Sequence, residues 1–188
     1  MTRDDAWNEL LSAALAHAVD YRNSLASRPM SAAASTDEMV ATLDALGPMS
    51  PDGRAPGDVL RELATLAAPG LTSMAGPRFF GWVTGGTLPA ALAADWLTSA
   101  WDQNAGPATG APAACAFELT AVRWLVELFG LPEATRGALV SGATLANFSA
   151  LAAARHQVLA AAGWDVEQDG LSGAPALRVF VGHERHDT

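Results

Sequence analysis

The segment Ala138–Ala154, ALVSGATLANFSALAAA, contains the residues best suited to bind an anion. A short apolar run predicts a strand, a Ser-Gly pair predicts a tight turn, and the alanine-rich stretch predicts a helix. The first amides of a helix have no acceptor within it and carry partial positive charge. With the Thr144 hydroxyl beside the backbone of Gly142 and Ala143, the turn predicts a phosphate site. The competing interpretation is a plain strand-to-helix turn capped by Thr144.

A histidine follows the next β-rich run. Leu177–Val181 predicts a second strand, and His186 comes shortly after it. A strand, a helix and another strand predict a right-handed crossover in a mainly parallel sheet, whose ligands bind at the carboxyl ends of the strands. We therefore expect His186 and the Gly142 turn to face one crevice. An imidazole there can lie flat on a planar aromatic cofactor and exchange protons. His183 and His186 lack an evident third ligand, so no metal site is predicted.

Composition limits the partners that this chain can bind. All eleven basic residues are arginine, there is no lysine, and the net charge is −9. An acidic chain without a lysine cluster argues against nucleic acid and anionic membranes as partners. Cys115 is the only cysteine, which excludes a disulfide framework. No secretory leader or membrane-spanning run is apparent, so a cytoplasmic location is expected.

The remaining elements are mostly helical. Ser35 and Glu38 form a capping-box pattern at the start of the second helix. Aromatic and glycine-rich sequence begins at Gly76, which predicts a helical arm over 1–75 and a second domain over 76–188. Strands are predicted at 138–140 and 177–181, with a polar loop at 164–175 between the last helix and the second strand. Helices are predicted at Asp4–Arg22, Ser35–Leu46, Val59–Ala67, Pro89–Asn104, Phe117–Phe129 and Ala143–Ala162.

Four segments in order resemble the group II pyridoxal-phosphate-dependent decarboxylases, the family of the aromatic-amino-acid and glutamate decarboxylases. The resemblance covers about residues 60 to 188 well and the helical start loosely. The segments are GPRFFGWVTGGTLPAALAADWLTSAWDQNA at 76–105, PAACAFELTAVRWLVELFGLP at 112–132, SGATLANFSALAAAR at 141–155 and VFVGHERHDT at 179–188.

The resemblance implies a role for each matching residue. Ala143 and Thr144, after Gly142, match the positions that hold the phosphate of pyridoxal 5'-phosphate. His186 matches the histidine that stacks on the pyridine ring and handles protons. The loop that lines the substrate pocket, often that of the neighbouring subunit, is matched by Trp82, Val83 and Thr84.

The resemblance also implies an architecture. The expected fold is α/β and aspartate-aminotransferase-like, that of a fold type I enzyme. Its large domain has a mainly parallel seven-stranded sheet between helices, of which this chain would be the first part. The N-terminal helices match an arm that intertwines two subunits of a homodimer.

The chain departs from the family pattern at three points. Leu145 stands where the family often has glutamate. Gly76 stands where the family often has histidine, and the missing side chain near the pocket loop weakens any inference about the substrate. Family members also use a lysine for the Schiff base and an aspartate on the pyridine nitrogen, both downstream of the histidine. This chain contains no lysine, so we expect it to be inactive alone.

Three hypotheses follow. The first is the N-terminal part of an amino-acid decarboxylase, a carboxy-lyase of amino-acid metabolism. The second is a catalytically inert partner, which dimerises or joins a complementary chain. The third is a generic phosphate-binding α/β module. Neither the amino-acid substrate nor the balance between decarboxylation and side reactions can be deduced from these residues.

Overall fold

The computed structural model describes residues 3–49 and 51–186. These residues divide into two compact units, with the boundary between Trp101 and Asp102. Within them lie seven α-helices and one 3₁₀ turn at Ala68–Gly70. The helices are α1 Arg3–Ser24, α2 Thr36–Asp44, α3 Pro56–Ala67, α4 Pro89–Trp101, α5 Pro112–Leu128, α6 Ala143–Ala161 and α7 Val166–Asp169. The six predicted helices are present, with ends shifted by a few residues.

In the first unit, α1 packs against α3. Helix α2 begins with the predicted capping box: the Ser35 hydroxyl accepts from the Glu38 amide at 3.3 Å, and the Ser35 amide donates to the Glu38 carboxylate at 2.7 Å. Hydrogen bonds from the Ser35 backbone and then from its side chain hold the pKa of Glu38 below its ordinary value. Proline in the first turn starts α3, where its missing amide costs no hydrogen bond.

A buried serine ties two distant segments of this unit together. Ser73 is only 2% exposed, and its hydroxyl donates to the Pro29 carbonyl at 2.8 Å. Its amide also donates to the Met30 carbonyl at 3.0 Å. Next to it, a Cβ added at Gly76 would lie 3.0 Å from the Ser73 carbonyl oxygen and 3.3 Å from that of Leu25. Close backbone approach therefore accounts for glycine at a position where the family often has a larger residue.

The second unit has a small core at the end of α6. Leu159 is fully buried and Val166 is 6% exposed. Gly163, at a φ of 78°, ends the helix in the left-handed conformation that a C-terminal glycine favours. The Trp164 ring nitrogen then donates to the Gly170 carbonyl at 2.9 Å and closes the loop. These contacts pack α7 against α6.

The prediction that 164–175 is only loop was wrong, because it contains α7. The Asp165 carboxylate accepts from the amides of Glu167 and Gln168 at 3.1 and 3.2 Å and thereby caps this short helix. An aspartate followed three residues later by glutamine is a helix-start pattern. That pattern was present in the sequence and was missed.

The predicted strands at 138–140 and 177–181 are not formed in the described part of the chain. Strand structure requires hydrogen bonds to a neighbouring strand, and no backbone bond joins these two segments within it. The Leu139 amide donates instead to the Glu118 carboxylate at 3.0 Å. The prediction of paired strands is therefore corrected.

The helices leave unusually large apolar areas uncovered. The accessible surface is 15196 Å², whereas two separate globular units of half this mass would together expose about 10,000 Å². Phe80 is 92% exposed, Phe180 90% and Leu128 75%. The packing therefore buries much less apolar surface than self-sufficient domains of this size do. None of the described helices is both long and apolar enough to cross a membrane.

We predict that Gly76→Ala lowers the free energy of unfolding by about 1–3 kcal/mol, because backbone oxygens must move away from the new methyl group. Urea denaturation followed by circular dichroism measures the change. Gly86→Ala is the matched control, since a Cβ there meets nothing within 4 Å, and it is expected to be neutral or slightly stabilising. Equal effects of the two substitutions would contradict the contact at Gly76.

Candidate functional site

The amino end of α6 presents unpaired donors. Gly142 is the N-cap residue, and no side chain caps the helix. The first donor within the helix is the Ala146 amide, which donates to the Gly142 carbonyl at 3.1 Å. The amides of Ala143, Thr144 and Leu145 therefore have no acceptor inside the helix. The alternative prediction, that Thr144 caps the helix, was wrong.

The electrostatics of this helix end favour an anion. The first turn of α6 contains no acidic residue, so the helix dipole is not offset by a carboxylate. The Thr144 hydroxyl is exposed beside the open amides. Gly142 has an extended φ of 176°, and a Cβ there would meet nothing within 4 Å. The donor set therefore fits a phosphate group. The backbone conformation at position 142 does not itself require glycine.

A cavity of about 570 Å³ lies against the amino-terminal half of α6. Its volume is within the range of sites for small molecules. His186 lines it, as do an amide and a guanidinium, while the other lining side chains are aliphatic. The complete lining is Asn147, Ala150, Leu151, Val179, Val181, Arg185 and His186.

The cavity places His186 beside α6, two or more residues beyond the open amides of the helix. Asn147, three residues after Thr144, lies on neighbouring surface of the helix and lines the cavity. Gly142, Ala143 and Thr144 are not among the lining residues. The structure thus places His186 beside α6. That the turn at Gly142 faces the same crevice stays a prediction.

His183 points to a different partner. Its Nδ1 atom lies 3.4 Å from the Glu184 carboxylate, and both side chains are 97% exposed. No group of three or more His, Cys, Asp or Glu side chains that could hold a metal ion occurs within residues 3–49 and 51–186. Asp187 and Thr188, which end the fourth matching segment, lie outside the described residues.

The predicted substrate-pocket residues form a tight turn in the first unit. The Thr84 amide and hydroxyl donate to the Gly81 carbonyl at 3.5 and 3.3 Å. Trp82 and Val83 between them have φ values of 60° and 52°. Two positive values characterise a type I′ turn, which favours Asn and Gly at these positions. A tryptophan and a β-branched valine are therefore strained here, at a cost of about 1–2 kcal/mol each.

Two polar residues of the cavity, Asn147 and Arg185, were not predicted from the sequence as site residues. Asn147 could have been found from its position one helical turn after Thr144. Arg185 directly precedes His186, but a charged residue in a polar terminal run usually points to solvent. Only the position of 179–186 against α6 brings Arg185 to the cavity.

A protein-family model matches most of this chain. The model of the pyridoxal-dependent decarboxylase conserved domain matches residues 39–172. The match begins in α2 and ends after α7, and it includes the turn at residues 81–84 and the amino end of α6.

Curated relatives match over most of the chain. Tryptophan decarboxylase 1 of Oryza sativa subsp. japonica is 31% identical over an alignment of 157 residues, and the match covers 77% of this chain and 30% of the relative. Aromatic-L-amino-acid decarboxylase of Bacillus atrophaeus is 30% identical over an alignment of 148 residues, and the match covers 75% of this chain and 29% of the relative. The chain spans about 30% of the length of these relatives.

Solved structures share the fold of this part. Oryza sativa TDC with PLP has a TM-score of 0.72 and 29% identity, with 92% of this chain and 37% of that chain covered. Mouse CSAD has a TM-score of 0.76 at 23% identity, with 92% and 35% covered. The second likeness concerns the fold alone.

We predict that Val83→Asn raises the free energy of unfolding by about 1 kcal/mol, because asparagine tolerates positive φ and no packing is lost. Val83 is fully exposed, at 105% of its reference area. Val179→Asn is the control, since Val179 is 73% exposed and does not have a positive φ. Urea denaturation measures both variants, and a gain at Val179 equal to that at Val83 would refute turn strain as the cause.

Proposed function

Because the chain belongs to the pyridoxal-dependent decarboxylase family, we propose that it is the N-terminal part of an enzyme that decarboxylates an amino acid. The observation that carries this proposal is the family match over residues 39–172, which includes the donor-rich amino end of α6. The cofactor is pyridoxal 5'-phosphate. When bound, it supplies an electron sink for the electrons left as carbon dioxide departs.

The amino end of α6 is proposed to hold the cofactor phosphate. The amides of Ala143 and Thr144 donate to its oxygens, and the Thr144 hydroxyl adds a further donor. Gly142, as N-cap, carries the turn that exposes these donors. Leu145, where the family often has glutamate, costs the helix a favourable carboxylate–dipole interaction of a few tenths of a kcal/mol up to about 1 kcal/mol, which is a tolerable loss.

His186 is proposed as the catalytic residue of this part of the enzyme. Its imidazole lies flat on the pyridine ring and carries a proton at a ring nitrogen. The position of His186 in the cavity beside α6 supports this role. Trp82, Val83 and Thr84 are proposed to line the substrate pocket, and the exposed, strained turn that holds them supports contact with a partner.

The remainder of the architecture is also proposed. Segments 138–140 and 177–181 become strands of a mainly parallel, seven-stranded fold type I sheet when neighbouring strands complete their hydrogen bonds. Residues 1–75 act as an arm that joins two subunits, and residues 76–188 begin the cofactor-binding large domain. A cytoplasmic location is proposed as well.

A second candidate function is a catalytically inert interaction module. The large exposed apolar surface favours it. In this case the chain folds fully with a second copy or a complementary chain and takes no part in catalysis.

We expect the chain to bind pyridoxal 5'-phosphate more tightly than pyridoxal, because only the former carries a phosphate for α6. Thr144→Ala should reduce this preference about tenfold, as loss of a hydrogen bond to a charged group does. Isothermal titration calorimetry with both compounds measures the ratio of dissociation constants.

The control for that experiment is Thr98→Ala. Thr98 is an exposed helical threonine, and its hydroxyl donates only to the Ala94 carbonyl, at 3.0 Å. It should leave both affinities unchanged. If the wild-type chain binds pyridoxal and its phosphate equally, the phosphate site at α6 is refuted.

Sedimentation and activity assays separate the two candidate functions. The chain alone should associate and release no carbon dioxide from amino acids. Coexpression with a family segment that carries the Schiff-base lysine should restore carbon dioxide release if the chain is the first part of an enzyme. Stable association with that segment without activity would support the inert module, and a compact monomer without activity would contradict both.

A further inference from the structure

We propose that Arg185 determines the substrate class by binding a side-chain carboxylate of the substrate, so that the enzyme prefers acidic amino acids. This inference rests on the proposed decarboxylase function. Arg185 and His186 line the same cavity of about 570 Å³ on α6. A planar guanidinium binds carboxylates through two parallel hydrogen bonds, which gives direction as well as attraction.

Within residues 3–49 and 51–186, no acidic side chain lines the cavity beside Arg185. The carboxylate next to it in sequence, that of Glu184, contacts His183 at 3.4 Å. Among the residues that the structure describes, no ion pair joins the Arg185 guanidinium to a carboxylate.

The other side chains of the lining leave the guanidinium as its one permanent charge. Aliphatic side chains from α6 and from segment 179–181 form most of the described lining, namely Ala150, Leu151, Val179 and Val181, and all of them are exposed. In a chain with a net charge of −9, an anionic ligand needs such a local cation, because the long-range field repels it.

The chemistry of the reaction decides which carboxylate Arg185 binds. The α-carboxylate leaves as neutral carbon dioxide, so an ion pair to it would stabilise the ground state more than the transition state and would slow the reaction. A side-chain carboxylate keeps its charge throughout. An arginine that binds the side-chain carboxylate therefore adds affinity for the substrate without opposing the loss of carbon dioxide.

The cofactor phosphate is the other possible anion. Its proposed donors lie at residues 143 and 144, whereas on α6 the cavity begins at Asn147 and extends to Leu151. At a rise of 1.5 Å per residue this is about 5–12 Å further along the helix. A second anion position is therefore favoured over a second contact to the phosphate.

The test uses the full chain and probes that require no turnover. Glutarate carries two carboxylates, glutaramate has one of them replaced by an amide, and indole-3-propionate represents an aromatic side chain. Isothermal titration calorimetry at low ionic strength gives their dissociation constants, with and without saturating pyridoxal 5'-phosphate. Inorganic phosphate is titrated as the competing anion.

We expect the chain to bind glutarate about tenfold more tightly than glutaramate, and Arg185→Gln to remove this difference. Arg185→Lys should retain part of it, because the charge remains without the planar fork. Arg178→Gln is the matched control: Arg178 is exposed on the same segment and does not line the cavity. It should behave as the wild type.

Three results would overturn the proposal. The first is equal affinity of the wild type and Arg185→Gln for glutarate. The second is a loss of affinity in Arg185→Gln that is confined to phosphate and pyridoxal 5'-phosphate, which would assign Arg185 to the cofactor. The third is tighter binding of indole-3-propionate than of glutarate by the wild type.

Failure of the proposed function would give a different result, because the chain would then not bind pyridoxal 5'-phosphate. The glutarate titration without cofactor would still report on Arg185.

Discussion

A β-strand exists only where a second strand completes its hydrogen bonds, and this requirement governs the whole of the second unit. Segments 138–140 and 177–181 are apolar and flank α6, yet no ladder joins them in the described part of the chain. Without a sheet, the helices have no flat apolar surface on which to pack. The exposed surface of 15196 Å² is the result.

Local interactions nevertheless hold the elements that matter for the proposed chemistry. Leu159, Val166 and the Trp164 hydrogen bond to Gly170 fix the carboxyl end of α6. The open amides at residues 143–145 arise from the intrahelical hydrogen-bond pattern itself, because the first amides of any helix have no acceptor within it. They are consistent with an anion site at the start of α6.

The first unit contains a close backbone contact and a strained turn. Ser73 and Gly76 bring two backbone segments together, and the turn at Trp82 and Val83 holds two large side chains in conformations that suit glycine. Strained residues persist where surrounding structure or function requires them. Both side chains of this turn are exposed, so no packing contact offsets the strain.

The sequence by itself determined the helices, because caps, prolines and apolar spacing act within a few residues. Ser35 with Glu38 and the glycine at 163 are examples, and α7 was missed although its cap at Asp165 was equally local. The family was also evident from four ordered segments. Only the tertiary structure decided that 138–140 and 177–181 stay unpaired, that Trp82 and Val83 have positive φ, and that Arg185 and Asn147 share a cavity with His186. Each of these depends on chain segments that the local pattern does not specify, since hydrogen-bond partners and cavity walls come from residues distant in sequence.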